Sequence, residues 1–482
     1  MRKESTKLSL VWKLLERFAY HGIKLLVQII LARILAPSDF GVLSIIIVFI
    51  DIATIFVQSG LNTALIQNKN ATDNDFSTVF WFSILFAVLL YGIVFITAPI
   101  ISNFFENQSI SSYLRFLGIM LIGGAINSIQ IAYSSRNNNF RAQFICNLIA
   151  VVLSGALAVV MAYSGYGIWA LIVQQIIWQY LMVILMEIAI KWKPKFVFSV
   201  DSLKKMFSFG WKMLLSSLLI RVNIIISNLI IGKKYTDNDL GYYSKAQSFP
   251  TVFSDVAVTA ISSVALVDFS KKQGDIDVTK KTLKKYLNHT MFFVAPIMFG
   301  LIAIAEPFVS LLLTDKWLGC VDYLRIFCLM YLFQPVCAIY GQAISGYGRN
   351  DLYLKAYLIA KPIGLLLIFA SAFLFDSPIY IAFAVLLTSI IEMIAQSINV
   401  KKVFNMGYIS QLKSWLPCVV MAIVMFIVCY LLTYLTMSNI LLLLIQVIVG
   451  GITYLFLCFL TKNEVLLAFI SKLKKLKNGD TQ

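Results

Sequence analysis

Apolar stretches long enough to cross a lipid bilayer recur about fourteen times along this chain of 482 residues. They fall at about residues 10–34, 42–67, 77–101, 113–134, 142–163, 167–190, 207–232, 241–267, 287–313, 322–345, 353–375, 378–400, 411–435 and 439–460. In hydrocarbon every backbone amide must find its partner inside its own segment, and roughly 20 helical residues cover a core about 30 Å thick. Each stretch therefore reads as a helix. With 60% hydrophobic and 13% charged residues, and a mean hydropathy of +0.85, the chain carries more apolar surface than a water-soluble core can hide. The expected fold is an all-α integral membrane protein with about fourteen transmembrane helices.

The net charge of +17 is distributed as a topology signal. With the N-terminus in the cytoplasm, Lys and Arg gather in the loops on the inner side, among them Arg136, Arg141, Lys191, Lys193, the run from Lys271 to Lys285, Lys401, Lys402 and the lysines from Lys472 to Lys477. The outer side receives few, Arg33, Lys233, Lys234 and Lys316 being the main ones. This is the positive-inside pattern of cytoplasmic N- and C-termini, so the basic excess argues for membrane lipids and against nucleic acid as a partner. The basic C-terminal tail is expected against anionic headgroups. Lys13, Glu16, Arg17, His21 and Lys24 interrupt the first apolar stretch, which is not the uniform core of a cleavable signal. The seven cysteines show no metal-ligand spacing, and no Gly-x-x-x-x-Gly-Lys phosphate loop occurs, so no metal, cofactor or catalytic group is expected.

A repeat runs through the chain. At an offset of 200, Asp39-Phe40-Gly41 faces Asp239-Leu240-Gly241, Gln28 faces Asn228 and Ser44 faces Ser244. Tyr113-Leu114-Arg115 recurs 210 residues later as Tyr323-Leu324-Arg325, and Arg136-Asn137 recurs as Arg349-Asn350. The order of these matches aligns helices one to six with seven to twelve in the same orientation. The expected organisation is two parallel six-helix lobes, 1–200 and 201–403, followed by two C-terminal helices and a basic tail over 404–482, with a substrate cavity between the lobes.

Charge at membrane depth marks where such a cavity is expected. On the first helix Lys13, Glu16, Arg17, Tyr20, His21, Lys24 and Gln28 fall within an arc of about 140° at 100° per residue. Such a stripe needs water, a partner or an anionic ligand. Lys13 and Arg17 lie near enough to the inner headgroups to snorkel; Lys24 lies deeper. The seventh helix carries Lys212, Ser216, Arg221, Asn223, Ser227 and Asn228. Asp51, Asp255, Glu306, Lys361 and Glu392 each read as half of an internal ion pair.

Several motifs carry a family resemblance: Leu31-Ala32-Arg33-Ile34-Leu35-Ala36-Pro37-Ser38-Asp39-Phe40-Gly41, Ala64-Leu65-Ile66-Gln67, Phe76-Ser77-Thr78-Val79-Phe80-Trp81 and Gly167-Ile168-Trp169-Ala170-Leu171. The chain resembles the polysaccharide transporters, the Wzx-type and colanic-acid-exporter-like flippases of the multidrug/oligosaccharidyl-lipid/polysaccharide exporter superfamily. The resemblance implies a bacterial inner-membrane protein that exports an oligosaccharide linked to undecaprenyl pyrophosphate by alternating access, with a proton or a sodium ion as coupling ion. It further implies a cationic cavity in which Arg17, Lys24 and Arg221 hold the pyrophosphate, flanked by Lys13, His21 and Lys212. A rival view of these cations is that they snorkel or pair with Glu16 and Asp51.

Two other functional readings stand beside the flippase. A multidrug or cation antiporter of the same superfamily would want an acidic cavity. A membrane-embedded polysaccharide polymerase or ligase would want a long polar outer loop, whereas the outer loops here are short. Thr72-Asp73-Asn74-Asp75 and Thr236-Asp237-Asn238-Asp239 contain the Asp-x-Asp pattern of sugar-nucleotide enzymes, but each precedes a hydrophobic helix and reads as a helix cap. The Pro37 to Gly41 segment likewise reads as the junction that ends one helix and caps the next.

Overall fold

A computed structural model describes residues 20, 22–58, 61–67, 71–434 and 437–477. The described part of the first helix, α1, covers residues 22–34. It is followed by α2 (Pro37–Gln58), α3 (Leu61–Gln67), α4 (Asp73–Phe104), α5 (Ser109–Gly118), α6 (Met120–Arg136), α7 (Phe140–Tyr163), α8 (Ile168–Ile190), α9 (Val200–Lys234) and α10 (Asp237–Lys271). Then come α11 (Ile276–Ala303), α12 (Ala305–Leu313), α13 (Val321–Gly346), α14 (Asn350–Leu374), α15 (Ile379–Phe404), α16 (Tyr408–Leu412), α17 (Leu416–Leu431), α18 (Asn439–Leu460) and α19 (Glu464–Lys477). No strand occurs among the described residues. Thirteen spans among them are long and apolar enough to cross a membrane, and the expected first span lies partly outside the described residues.

Where boundaries differ from hydropathy, amphipathic ends are the cause. The stretch expected over 287–313 is a helix from Ile276 to Ala303 followed by the separate short helix α12. Its first three turns carry Lys280, Lys281, Lys284 and Lys285 on one side, which hydropathy discounts, while Thr279, Leu283 and Leu287 on the other are buried. The lysine-rich tail after Glu464 is a helix as well.

The chain divides by packing into two compact units, 1–244 and 245–482. In the first, α7 lies along α8, α6 packs on α4 and α8, and α2 packs on α9. Phe76, Ile129, Met182, Met186 and Trp192 form its core. The Phe76–Trp81 motif explains itself here. Ser77 Oγ and Thr78 Oγ1 accept from the backbone N–H groups of Lys195 (3.0 Å) and Ser199 (3.2 Å), and Trp81 Nε1 donates to the Lys195 carbonyl at 2.9 Å. The motif thus pins the segment that leads into α9. Trp169 of the Gly167–Leu171 motif packs edge-on against Tyr113 and Phe116 of α5.

Both Asp-x-Asp segments are helix caps. Thr72 and Asp75 form a reciprocal capping box at α4, and at α10 Thr236 Oγ1 accepts from the Asp239 N–H at 3.2 Å while Asp239 accepts from the Thr236 N–H at 3.1 Å. Asp39 accepts from the Ala36 N–H at 3.1 Å, the same arrangement 200 residues earlier. Between these two junctions the backbones touch. A Cβ on Gly41 would stand 1.8 Å from the carbonyl oxygen of Asp237, and one on Gly241 would stand 2.0 Å from that of Pro37. Residues 37 and 41 meet 237 and 241 reciprocally, the form of a twofold contact. Further along, Asn138 (φ 55°) and Gly348 (φ 75°) make the left-handed turns after α6 and α13. Positions 138 and 348 lie 210 apart, the spacing of Tyr113 and Tyr323, so the Arg-Asn match at 136 and 349 is shifted out of register.

In the second unit α13 is the buried centre, with Leu324, Phe327, Val336, Tyr340 and Ile344 almost fully enclosed. It packs against α11 and α15; α14 lies along α15, and α17 joins α11 to α18. Tyr454 of α18 donates to the Phe292 carbonyl of α11 at 3.0 Å. Outward-facing side chains such as Ile96, Leu366 and Phe373 are apolar and exposed, as a hydrocarbon-facing surface requires.

Candidate functional site: an intramembrane cationic cluster

The first unit brings charged groups from three helices to one depth. Lys24 lies ten residues before the end of α1 at Ile34, Arg221 thirteen before the end of α9 at Lys234, and Asp51 fourteen after the start of α2 at Pro37. At 1.5 Å per residue these positions lie about 15–21 Å along their helices, well inside the hydrocarbon. Arg221 Nη1 donates to Asp51 Oδ2 at 3.0 Å, and the ammonium of Lys24 acts on the same carboxylate through space. Both side chains of the pair remain about half exposed. The guanidinium has five N–H donors, and the bond to Asp51 uses one. Among the described residues the cluster holds two cations and one carboxylate, so there it carries net positive charge and unspent donors.

Around it the first unit sets polar and aromatic groups. Lys24 Nζ stands 5.6 Å from the Tyr20 ring, which lies 5.9 Å from the ring of Trp178 on α8. Trp178 donates to Asn147 of α7 at 3.2 Å, and Gln28 donates to Gln174 at 3.4 Å. Two residues beyond Arg221, Asn223 is buried with neither amide atom hydrogen-bonded among the described residues, while Ser227 donates to its backbone carbonyl. A buried amide without partners is rare in a finished core and common where a ligand or water completes the set.

Of the expected cationic residues, the structure brings Lys24 and Arg221 together. Lys13, Arg17 and His21 lie outside the described residues, as does Glu16. Lys212 stands on α9, and its side chain lies outside what is described. The expectation of internal ion pairs is met by Asp51 with Arg221 and, in the second unit, by Lys361 with Glu392 at 2.9 Å. The residues that sequence reasoning passed over are Asn147, Gln174 and Trp178. Their signal was present in polar side chains on the otherwise apolar helices α7 and α8.

Comparison with known proteins follows the same lines. Residues 30–322 match the family model described as polysaccharide biosynthesis protein. The succinoglycan biosynthesis transport protein ExoT of Rhizobium meliloti is 24% identical over 344 residues, 70% of this chain and 69% of that one. The teichuronic acid biosynthesis protein TuaB of Bacillus subtilis is 25% identical, with 62% of each chain covered. The lipopolysaccharide biosynthesis protein WzxC of Escherichia coli is 21% identical over 73% of this chain and 72% of its own. Among solved structures, the lipid II flippase MurJ in an inward closed conformation superposes with a TM-score of 0.77 at 17% identity, covering 96% of this chain and all of that one. An inward-facing multidrug transporter of the MATE family superposes with a TM-score of 0.61 at 14% identity over 79% of this chain and 95% of that one. The chain therefore belongs to the polysaccharide biosynthesis protein family, and its fold is that of the MurJ and MATE structures.

Proposed function

We propose that this protein is a flippase that moves an oligosaccharide linked to undecaprenyl pyrophosphate from the cytoplasmic to the outer leaflet of a bacterial inner membrane by alternating access. Its N- and C-termini are cytoplasmic in this reading, as the basic inner loops require. The observation that carries the proposal is the family match over residues 30–322, whose relatives are named for the biosynthesis or transport of surface polysaccharides. The net-positive cluster supports it. A diphosphate entering hydrocarbon needs cations and oriented donors, and Lys24 with the free face of Arg221 offers both. Drug cations would be repelled by the same cluster, since the one carboxylate it holds among the described residues is already bound by Arg221.

The test is export of surface polymer in a strain lacking its own flippase. Expression of this chain is expected to restore the polymer. No polymer, together with new resistance to cationic drugs from the same membrane-inserted protein, would favour the antiporter.

A further inference from the structure

Beside the cationic cluster the first unit sets three amides at a common depth. Gln28 stands six residues before the end of α1 at Ile34, Asn228 six before the end of α9 at Lys234, and Gln174 six after the start of α8 at Ile168. At 1.5 Å per residue each lies about 9 Å in from its helix end. Gln28 is one turn beyond Lys24, and Asn228 is two turns beyond Arg221, so each amide shares a helix face with a cation. Positions 28 and 228 are also mates in the repeat. Two rungs join α1 to α8 on either side of Lys24. The ring of Tyr20 lies 5.9 Å from that of Trp178, and Gln28 donates to Gln174 Oε1 at 3.4 Å.

These amides retain hydrogen-bonding capacity. Gln174 is 7% exposed; its oxygen accepts from Gln28, while its two N–H groups meet no acceptor among the described residues. The side-chain oxygen of Asn228 is buried and receives no hydrogen bond among the described residues. Buried polar atoms without partners cost stability, which a ligand carrying the missing groups recovers. The two deficits are of opposite kind, since Gln174 needs an acceptor and Asn228 a donor. An isoprenoid tail supplies neither, and an ionised phosphate supplies acceptors only. A sugar ring supplies both, because every hydroxyl donates and accepts.

We propose that Gln174, Gln28 and Asn228 form the sugar-recognising layer of the cargo site, binding the hydroxyls of the hexopyranose that adjoins the pyrophosphate while Lys24 and Arg221 hold the phosphates. The inference rests on the flippase reading above. Recognition is thereby divided: the cations answer to the charge that every such cargo carries, and the amides to whether a sugar is attached to it. A site built to hydrogen-bond hydroxyls discriminates strongly against a cargo that lacks them, because its own buried amides are then left unpaired.

The test is competition between two lipids for the full chain, with native mass spectrometry counting the bound molecules. One is undecaprenyl-pyrophosphate-linked glucose. The other is the methyl ester of undecaprenyl pyrophosphate, which keeps the tail and both negative charges and lacks the hydroxyls. From an equimolar mixture the wild type is expected to carry the glucose lipid in at least about tenfold excess. Gln174→Met and Asn228→Leu are each expected to reduce that excess about two- to tenfold, as for a lost neutral hydrogen bond, without weakening the methyl ester. In the double variant the two lipids are expected to bind equally. Residues that merely packed the helices would change the binding of both lipids together and leave their ratio as it was. Equal binding by the wild type, or an excess unchanged in the double variant, overturns the proposal and leaves the flippase reading standing. Binding of neither lipid by the folded wild type rejects both. A preference for the glucose lipid in a protein that transfers it across no vesicle would uphold the sugar layer and reject the flippase reading.

Discussion

At the scale of the residue, the informative groups are polar side chains where the solvent is hydrocarbon. Lys24 and Arg221 stand out in the sequence because their helices carry more polar residues than a lipid-facing span tolerates. The sequence also offers Asp51 as a candidate partner for these cations, but without fixing which of them it meets. Asp51 is 170 residues from Arg221, and a lone carboxylate in an apolar helix does not say which cation it meets. The pairing sharpens the test of the site. Arg221→Ala leaves Asp51 without its partner, so its loss alone mixes charge burial with lost cargo binding. Asp51→Asn/Arg221→Gln neutralises both. If Arg221 serves cargo, export per membrane-inserted molecule stays low in the double variant, reduced about ten- to a hundredfold for a lost charge-assisted contact on the order of 1.5–3 kcal/mol. Recovery of wild-type export in the double variant would make the pair structural. Lys24→Ala, which orphans no hydrogen-bonded partner among the described residues, is expected to lower export per molecule while leaving insertion unchanged; normal export would remove it from the site.

At the scale of the element, the helices were legible and their ends less so. Apolar length marks every described span, because a single segment satisfies its own backbone in lipid only as a helix and a barrel strand would be about half as long. Hydropathy misses helix that projects beyond the membrane, as in the basic start of α11, and it merges α11 with α12. The junction motifs carry structure: the Thr72–Asp75 box caps α4, and Gly41 and Gly241 let two helix starts touch. Only residues without a Cβ fit there, since the opposing atom is a backbone oxygen that cannot rotate away. Gly41→Ala and Gly241→Ala are each expected to destabilise the protein by about 1–3 kcal/mol, the cost of overpacking, seen as a lower melting temperature in detergent. Unchanged melting in both would mean that the two helix starts separate freely. Thr72→Ala is expected to cost about 1 kcal/mol through the lost cap.

At the scale of the whole molecule, the repeat and the charge bias in the sequence predict two related halves and a defined sidedness. The offset of 200 read from a few residues recurs as a reciprocal backbone contact between positions 37, 41, 237 and 241. The all-α, multi-span fold class was legible from apolar length, whereas the pairing of Asp51 with Arg221 required coordinates. Sidedness is open to direct measurement. Single cysteines over 271–285 and in the tail after Lys472 are expected to resist membrane-impermeant reagents in intact cells and to label after permeabilisation; labelling from outside would reverse the orientation. The central claim is that this chain carries a pyrophosphate-linked sugar across a bilayer through its cationic cluster. It is tested most directly in vesicles of defined lipid holding the purified protein and a fluorescent undecaprenyl-pyrophosphate-linked sugar, with quenching from outside reporting transfer. Wild type is expected to expose the probe on both faces, and a Lys24→Gln/Asp51→Asn/Arg221→Gln variant inserted to the same level is expected to leave it on the face where it began. Transfer equal in both proteins, or no faster than in vesicles without protein, would contradict the account.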